Sequence, residues 1–527
     1  MQRAYQRSRM SAWCCTAVAW HERGPAASGN AGSRAVVAWR PDAAARAPPR
    51  CDRTCMPTTA SRPTIFALHG LGLSGRLFDP LARELADTAE VVAIDLPGYG
   101  DARDAGDTSL DAMTSAVIRT IREHGASRWL LVGHSMGGKV ASLVAARTLS
   151  GRSGLFGLAG VVLLAGSPLS PEPMPEEKRS EMLGWVADGP LDAEHARTFL
   201  EQNIGGALPA AEDRQALADL LRSSPAAWRD WLETGSREDR TDVADLLSAL
   251  PALLIAGGED GDLGADGQRA TNARSYPRAR LLELPGAGHL LPIERPVEVA
   301  AAIRAFWTDE AGTGPAVPAD VAETIRSSRT TSRIRALFAE RLLADDPAYA
   351  PKALTPAQLT TLRAVADRVV PQDSGDSAAP GRIDLAARVD AQLAAGRGDG
   401  WRNADLPSDP EAYRLGLDAL AGVDDLSPEE QDARLEALGT EPLGAFSAEQ
   451  AKAWFEDCRN DLVRQWLAHP ASLARIGFDG YATGGDVLPL LGFTALGADA
   501  HDTWEPGTRE PGTGEPSTPQ TSTRNPR

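Results

Sequence analysis

The stretch LLVGHSMGGKV, residues 130–140, sets Ser135 between glycines at the end of an apolar run. With 50 glycines among 527 residues, a G-x-S-x-G match can arise by chance, so its surroundings decide what it means. Upstream, Trp129, Leu130, Leu131 and Val132 form the short apolar run expected of a strand buried on both faces of a parallel sheet. Downstream, Val140, Leu143, Val144 and Leu149 recur at near-helical spacing, and Ser150-Gly151 supplies a stop. Ser135 therefore stands where a strand turns sharply into a helix. There, small flanking residues let the chain pack around a strained backbone and keep the hydroxyl exposed.

Working outward, the same alternation continues on both sides. TIFALHG, EVVAIDLPGYG, LAGVVLLAGSP, ALPALLIAGGED and ARLLELPGAGH read as further strands, with helical patterns through LFDPLARELA and LDAMTSAVIRTI between the early ones. Apolar runs alternating with helices specify a doubly wound, mainly parallel α/β sheet. The alternation breaks over residues 169–249, where prolines stand at 171, 173, 175 and 190. We expect an inserted helical lid there, since ligands bind such sheets at the carboxyl ends of the strands.

Length and charge bound the rest. A chain of 527 residues with 43% hydrophobic content carries more than one core. A net charge of −18 argues against a nucleic-acid partner, which needs clustered Lys and Arg. No apolar run approaches the roughly 20 residues that a membrane span requires. The first 55 residues hold nine Arg against three acidic residues, and four of the five cysteines (Cys14, Cys15, Cys51, Cys55). They show no helical or strand period. SAWCCTAVAW only faintly resembles a signal peptide, and Met56 precedes the first strand, so residues 1–60 read as a disordered or mis-called extension. Cys51 and Cys55 lack the second ligand pair of a zinc site. The remaining Cys458 fits a reducing, cytoplasmic setting.

Beyond Trp307, TDEAGTGPAVPAD reads as a linker spanning residues 311–334. A second, mainly α-helical domain is expected over 335–500, announced by Thr355 with Gln358, Ser427 with Glu430 and Ser447 with Gln450, each a capping-box pair. Leu359, Leu362, Val365 and Val369 supply one apolar stripe, and Trp454, Phe455, Cys458, Leu462 and Trp466 another. The Pro-rich polar tail from 501 to 527 is expected to be disordered.

A serine hydroxyl needs a base, an orienting acid and donors for the oxyanion that forms on attack. HGLG, DLPGYG, GHSMGG and GAGH occur in that order, and on these motifs residues 62–310 resemble the α/β-hydrolase fold. The resemblance implies Ser135 as nucleophile and His289 of PGAGHLLPIERP as base. It implies Asp260 of LLIAGGEDGDLG as the acid, with Glu259 and Asp262 as competing neighbours. The oxyanion would be held by the backbone N–H groups of Leu71 and Met136. His69 is expected to be structural, Asp95 to cap a turn, His134 to point into the sheet layers, and His124 and His195 to lie at the surface or lid. Trp185, Phe199, Trp228 and Trp231 could line an acyl pocket or pack the lid onto the core. The implied activity is hydrolysis of a small-molecule ester or related acyl substrate without cofactor or metal. Carbon–carbon bond hydrolysis and cofactor-free perhydrolysis are alternatives on the same triad.

KALTPAQLTTLRAVADRVVPQD and WLAHPASLARIGFDGYATGGD are similar to the gluconate 2-dehydrogenase subunit 3 family over about residues 335–496. That resemblance implies an accessory domain, without a cofactor of its own, that docks a flavoprotein dehydrogenase. Phe478 and Tyr481, flanked by glycines, either present the docking loop or cover the helical core.

Overall fold

The computed structural model describes residues 62–372, 381–398 and 403–486. The expectations for residues 1–60 and 501–527 fall outside them. Six strands form, each where a strand was expected: β1 (Thr64–Leu68), β2 (Glu90–Ile94), β3 (Trp129–His134), β4 (Leu158–Leu164), β5 (Ala252–Gly257) and β6 (Arg280–Leu284). They make one parallel sheet in the order β2-β1-β3-β4-β5-β6. Every residue of the four inner strands is buried, while the edge strands β2 and β6 are partly exposed. The near-continuous apolar runs of the inner strands follow from helices covering both faces of a parallel sheet.

Those connections include α1 (Asp79–Leu85), α2 (Leu110–His124) and α3 (Met136–Leu149). Between β4 and β5 the lid supplies α4 (Glu176–Trp185), α5 (Ala193–Gln202), α6 (Ala210–Arg222) and α7 (Pro225–Arg229). After β6 comes α8 (Pro296–Phe306). Phe199, Trp228 and Trp231 are buried in the same core as the sheet, so three of the four lid aromatics join lid to core. Trp228 also donates to Ser223 Oγ at 2.7 Å.

The stretch 311–334 is not a plain linker. It contains α9 (Ala319–Arg326), whose Ala322 and Ile325 are fully buried in the sheet's core, and it leads into α10 (Ser332–Leu342), whose Phe338 and Ala339 join that core too. An eight-residue helix directly after a Gly/Pro-bearing run is too short for its period to stand out. Arg335 of α10, buried, donates to the carbonyls of Ile325, Gly151, Ser327 and Thr330 at 2.8–3.0 Å, stitching this segment to the end of α3.

A second core is built by α11 (Pro356–Val369), α12 (Leu385–Ala394), α13 (Asp409–Ala419), α14 (Pro428–Glu436) and α15 (Ala448–Ala468), followed by α16 (Pro470–Arg475). All three capping boxes form, at Thr355, Ser427 and Ser447. Leu359, Leu362, Val365, Trp454, Cys458 and Leu462 are its buried stripe. The glycine-flanked loop after α16 returns to the first core. Tyr481 packs edge-to-face on Phe338 with ring centroids 5.0 Å apart, Gly484 N–H donates to Arg329 O at 2.8 Å, and Asp486 accepts from Ser332 N–H at 3.0 Å. Tyr481 therefore covers neither the second core nor a free docking face. Among the described residues no helix is long and apolar enough to cross a membrane.

Replacing Arg335 with Met would keep its bulk but take the guanidinium from the carbonyls of Ile325, Gly151 and Thr330, all in buried bonds, while Ser327 O keeps the N–H of Thr330. Orphaned buried groups cost about 1–3 kcal/mol each. Urea unfolding of Arg335→Met should show a loss of at least about 3 kcal/mol, against less than about 0.5 kcal/mol for the exposed neighbour Arg333→Met.

Candidate active site

Ser135 sits between β3 and α3 with φ 50° and ψ −124°, one of two non-glycine residues with positive φ among those described. Such a backbone costs about 1–3 kcal/mol and persists only when its surroundings dictate it. Here Ser135 N–H donates to Leu164 O at 3.1 Å, and Ser135 O accepts from Gly138 N–H at 2.7 Å and Ser167 N–H at 2.9 Å. The glycines are required by close passage. A Cβ on Gly133 would meet Gly137 O at 2.5 Å, one on Gly137 would meet Leu68 O at 2.2 Å, and one on Gly138 would meet Gly166 Cα at 2.7 Å.

His289 follows β6 and Asp260 follows β5. His289 Nδ1 and Asp260 Oδ2 are 2.7 Å apart, with side chains 13% and 8% exposed. Of the three neighbouring acids, Asp262 instead pairs with Lys178 of the lid at 2.9 Å, and Glu259 is exposed. With Nδ1 engaged, His289 Nε2 is the free nitrogen. None of the hydrogen bonds among the described residues joins it to Ser135 Oγ, a contact that often tightens only when substrate binds. Burial alone would lower the His289 pKa, but the carboxylates of Asp260 and Glu172 outweigh it and raise it above the usual 6.5. Burial would raise that of Asp260, and the charge and hydrogen bond of His289 reverse this and hold it low.

The first loop lies directly against this site. A Cβ on Gly70 would stand 2.9 Å from Ser135 Cβ, and buried Leu71 follows it, while Met136 begins α3 and so has no carbonyl inside the helix to receive its N–H. His69 is fully buried, accepting from Leu96 N–H at Nε2 and facing Gly70 O through Nδ1, and Asp95 takes the N–H groups of Gly75 and Asp101. Both are spent on turns, as expected. His124 pairs with Glu90 and His195 with Asp192, away from Ser135.

His134 is buried and reaches the loop after β6. Its Nε2 donates to His289 O at 2.9 Å, so it supports the backbone at His289, and burial pulls its pKa down to about 3, keeping the ring neutral. Three further residues went unnoticed in the sequence. Ser167, whose N–H reaches Ser135 O, is bonded through Oγ to Glu172 Oε2 at 2.5 Å. Burial raises the pKa of Glu172 despite Ser167 and the nearby His289 and Lys139. Lys139, fully buried on α3, donates to the carbonyls of Ser170, Gly235 and Glu238 at the base of the lid. A lysine inside the apolar repeat GGKVASLVAA was the available signal. Among the described residues no group of three or more His, Cys, Asp or Glu stands together as metal ligands.

Comparison with known proteins now bears on this geometry. Residues 65–302 match the model of the alpha/beta hydrolase family. The 2-succinyl-6-hydroxy-2,4-cyclohexadiene-1-carboxylate synthase of Serratia proteamaculans is 30% identical over 254 residues, spanning 47% of this chain and 94% of that protein. The chain belongs to the α/β-hydrolase family. The hydrolase is also similar to the pimeloyl-[acyl-carrier protein] methyl ester esterases of Xanthomonas campestris pv. campestris, at 31% identity over 46% of this chain and 94% of that one, and of Neisseria meningitidis, at 30% over 40% and 79%. A thermophilic esterase structure from Thermogutta terrifontis matches at 25% identity and a TM-score of 0.39, over 47% of this hydrolase and 89% of that chain. Residues 356–482 match the model of gluconate 2-dehydrogenase subunit 3, so the hydrolase carries that second domain type as a fusion.

A base works only when deprotonated, so activity that depends on His289 should fall as pH drops through a pKa above 6.5. Removing the charge of Asp260 with Asp260→Asn should move this acid limb of kcat/KM to lower pH. A pH-rate series on both proteins checks it, and an unmoved limb would remove His289 from the rate-determining ionisation.

Proposed function

We propose that this hydrolase cleaves a small ester or related acyl substrate through a Ser135–His289–Asp260 triad. The observation that carries this reading is the 2.7 Å Asp260–His289 bond at the same strand ends as a serine held in a positive-φ turn. In the proposed cycle His289 Nε2 takes the Oγ proton as Ser135 attacks the carbonyl, and Asp260 balances the imidazolium charge. The N–H groups of Leu71 and Met136 hold the oxyanion, whose collapse expels the alcohol with the proton returned by His289; the neutral histidine then deprotonates a water that hydrolyses the acyl ester and gives Ser135 its proton back. The similar proteins named above include methyl ester esterases, which favours ester cleavage, and a 2-succinyl-6-hydroxy-2,4-cyclohexadiene-1-carboxylate synthase, whose name is not that of an ester hydrolase; carbon–carbon bond hydrolysis on the same triad is kept as the second reading. Lid contacts would choose between them.

For the fused domain we propose an accessory role: docking a flavoprotein dehydrogenase beside the hydrolase. The family-model match over residues 356–482 supports it, and the docking face would exclude the loop around Tyr481, which is packed inward.

Ser135→Ala should lower turnover of short-chain aryl esters at least about a thousandfold with unfolding unchanged. Asp260→Asn should cost about a hundredfold or more, and Asp262→Asn should stay near wild type. Undiminished turnover in Ser135→Ala, or equal losses in the two Asp variants, would sink the assignment. For the accessory role, the full chain used as bait in a lysate of its own organism should retain a flavin-containing dehydrogenase, and recovery of none would count against docking.

A further inference from the structure

The backbone around His289 is held from three directions, all by residues that the triad does not use. His289 N–H donates to Asn203 O at 2.9 Å and Leu290 N–H to the same oxygen at 3.3 Å, so the end of lid helix α5 touches the base's own peptide. Glu294, five residues on, accepts Leu290 N–H through Oε1 at 3.0 Å, and both Gly288 N–H at 3.0 Å and Gly205 N–H at 2.8 Å through Oε2. His134 closes the third side through His289 O. The lid and the histidine loop meet without side chains between them. A Cβ on Gly288 would lie 2.4 Å from Gly205 N, and one on Gly205 would lie 2.7 Å from Gly286 O and from Gly288 N.

We propose that Glu294 is a positioning residue for the base, binding the lid segment at Gly205 and the peptides on either side of His289 into one rigid clamp. This rests on the triad reading above. A carboxylate is the right group because it is acceptor-only and offers several lone pairs to three N–H groups that converge on it. Glutamine has the same shape, but its amide nitrogen must face an N–H donor, so one arm of the clamp becomes repulsive. The clamp also means that the lid cannot lift at Gly205 without dragging the base. Access to Ser135 must therefore open elsewhere, and the half-exposed Lys178–Asp262 pair between α4 and the loop after β5 is the weaker seam.

The test compares wild type with Glu294→Gln and Glu294→Asp in the full chain. Hydrogen exchange is read on peptides covering 203–206 and 286–291. The rate and end-point of Ser135 labelling by a fluorophosphonate are followed separately, together with kcat and KM on an aryl ester. Glu294→Gln should speed exchange in both peptides together. It should lower kcat and the labelling rate by about 10- to 100-fold, the scale expected for a misplaced catalytic group, while KM and the labelling end-point stay within about twofold of wild type. Glu294→Asp, which keeps the acceptors but shortens the reach, should recover part of the loss. Unchanged exchange in either peptide would overturn the clamp. Faster exchange with unchanged kcat and labelling rate would overturn the positioning role, as would a loss confined to the labelling end-point, which reports unfolded protein. Absence of Ser135 labelling in wild type, with exchange behaving as expected, would overturn instead the nucleophile, and with it the base that Glu294 is proposed to position.

Discussion

Everything in the hydrolase half depends on backbones crossing within van der Waals distance beneath Ser135. The turn from β3 to α3 passes so close to the end of β1 that Gly137 has no room for a methyl group, and the next glycine lies against Gly166 in the same way. That crowding forces Ser135 into its positive φ, and the bonds from Gly138 and Ser167 to its carbonyl make the strained state the only one available. The sheet order follows from the same requirement, since β3 must lie between β1 and β4 for both loops to reach the serine.

Features encoded within a few residues could be read directly from the chain. The six strands announce themselves as apolar runs, and the three capping boxes as a hydroxyl followed three residues later by Gln or Glu. The choice among Glu259, Asp260 and Asp262 could not be made this way, because it depends on how a loop coils after β5 and on a lid lysine more than 80 residues earlier taking Asp262 for itself. His134 was obscured for the same reason, since its partner His289 lies 155 residues away, whereas Ser167 and Glu172, only five residues apart, form no recognisable motif. Helix α9 was concealed by local composition, with glycine and proline before it and a span too brief to show a period.

Lys139 and Glu294 divide the attachment of the lid between them. A buried ammonium on α3 gathers three carbonyls from the two ends of the lid, and the carboxylate of Glu294 takes the amide of Gly205 in the lid's middle together with amides beside His289. The ends of the lid are thus fixed to the helix that follows Ser135, and its middle to the loop that carries His289. Burial lowers the pKa of Lys139 to about 8, with Glu172 as the foremost charge opposing it, so the lid root and the site share one electrostatic environment.

The loop that carries Tyr481, Ala482 and Asp486 back to α10 has a consequence for how the protein is made. The sheet core counts Tyr481 and Ala482 among its buried members, yet about 140 residues separate them from Phe338, and the whole second core lies in that interval. During synthesis, domains ordinarily fold as they emerge, the N-terminal one first. Here the first core stays unfinished until the second has left the ribosome, so the two halves, joined in one chain by fusion, mature as one product.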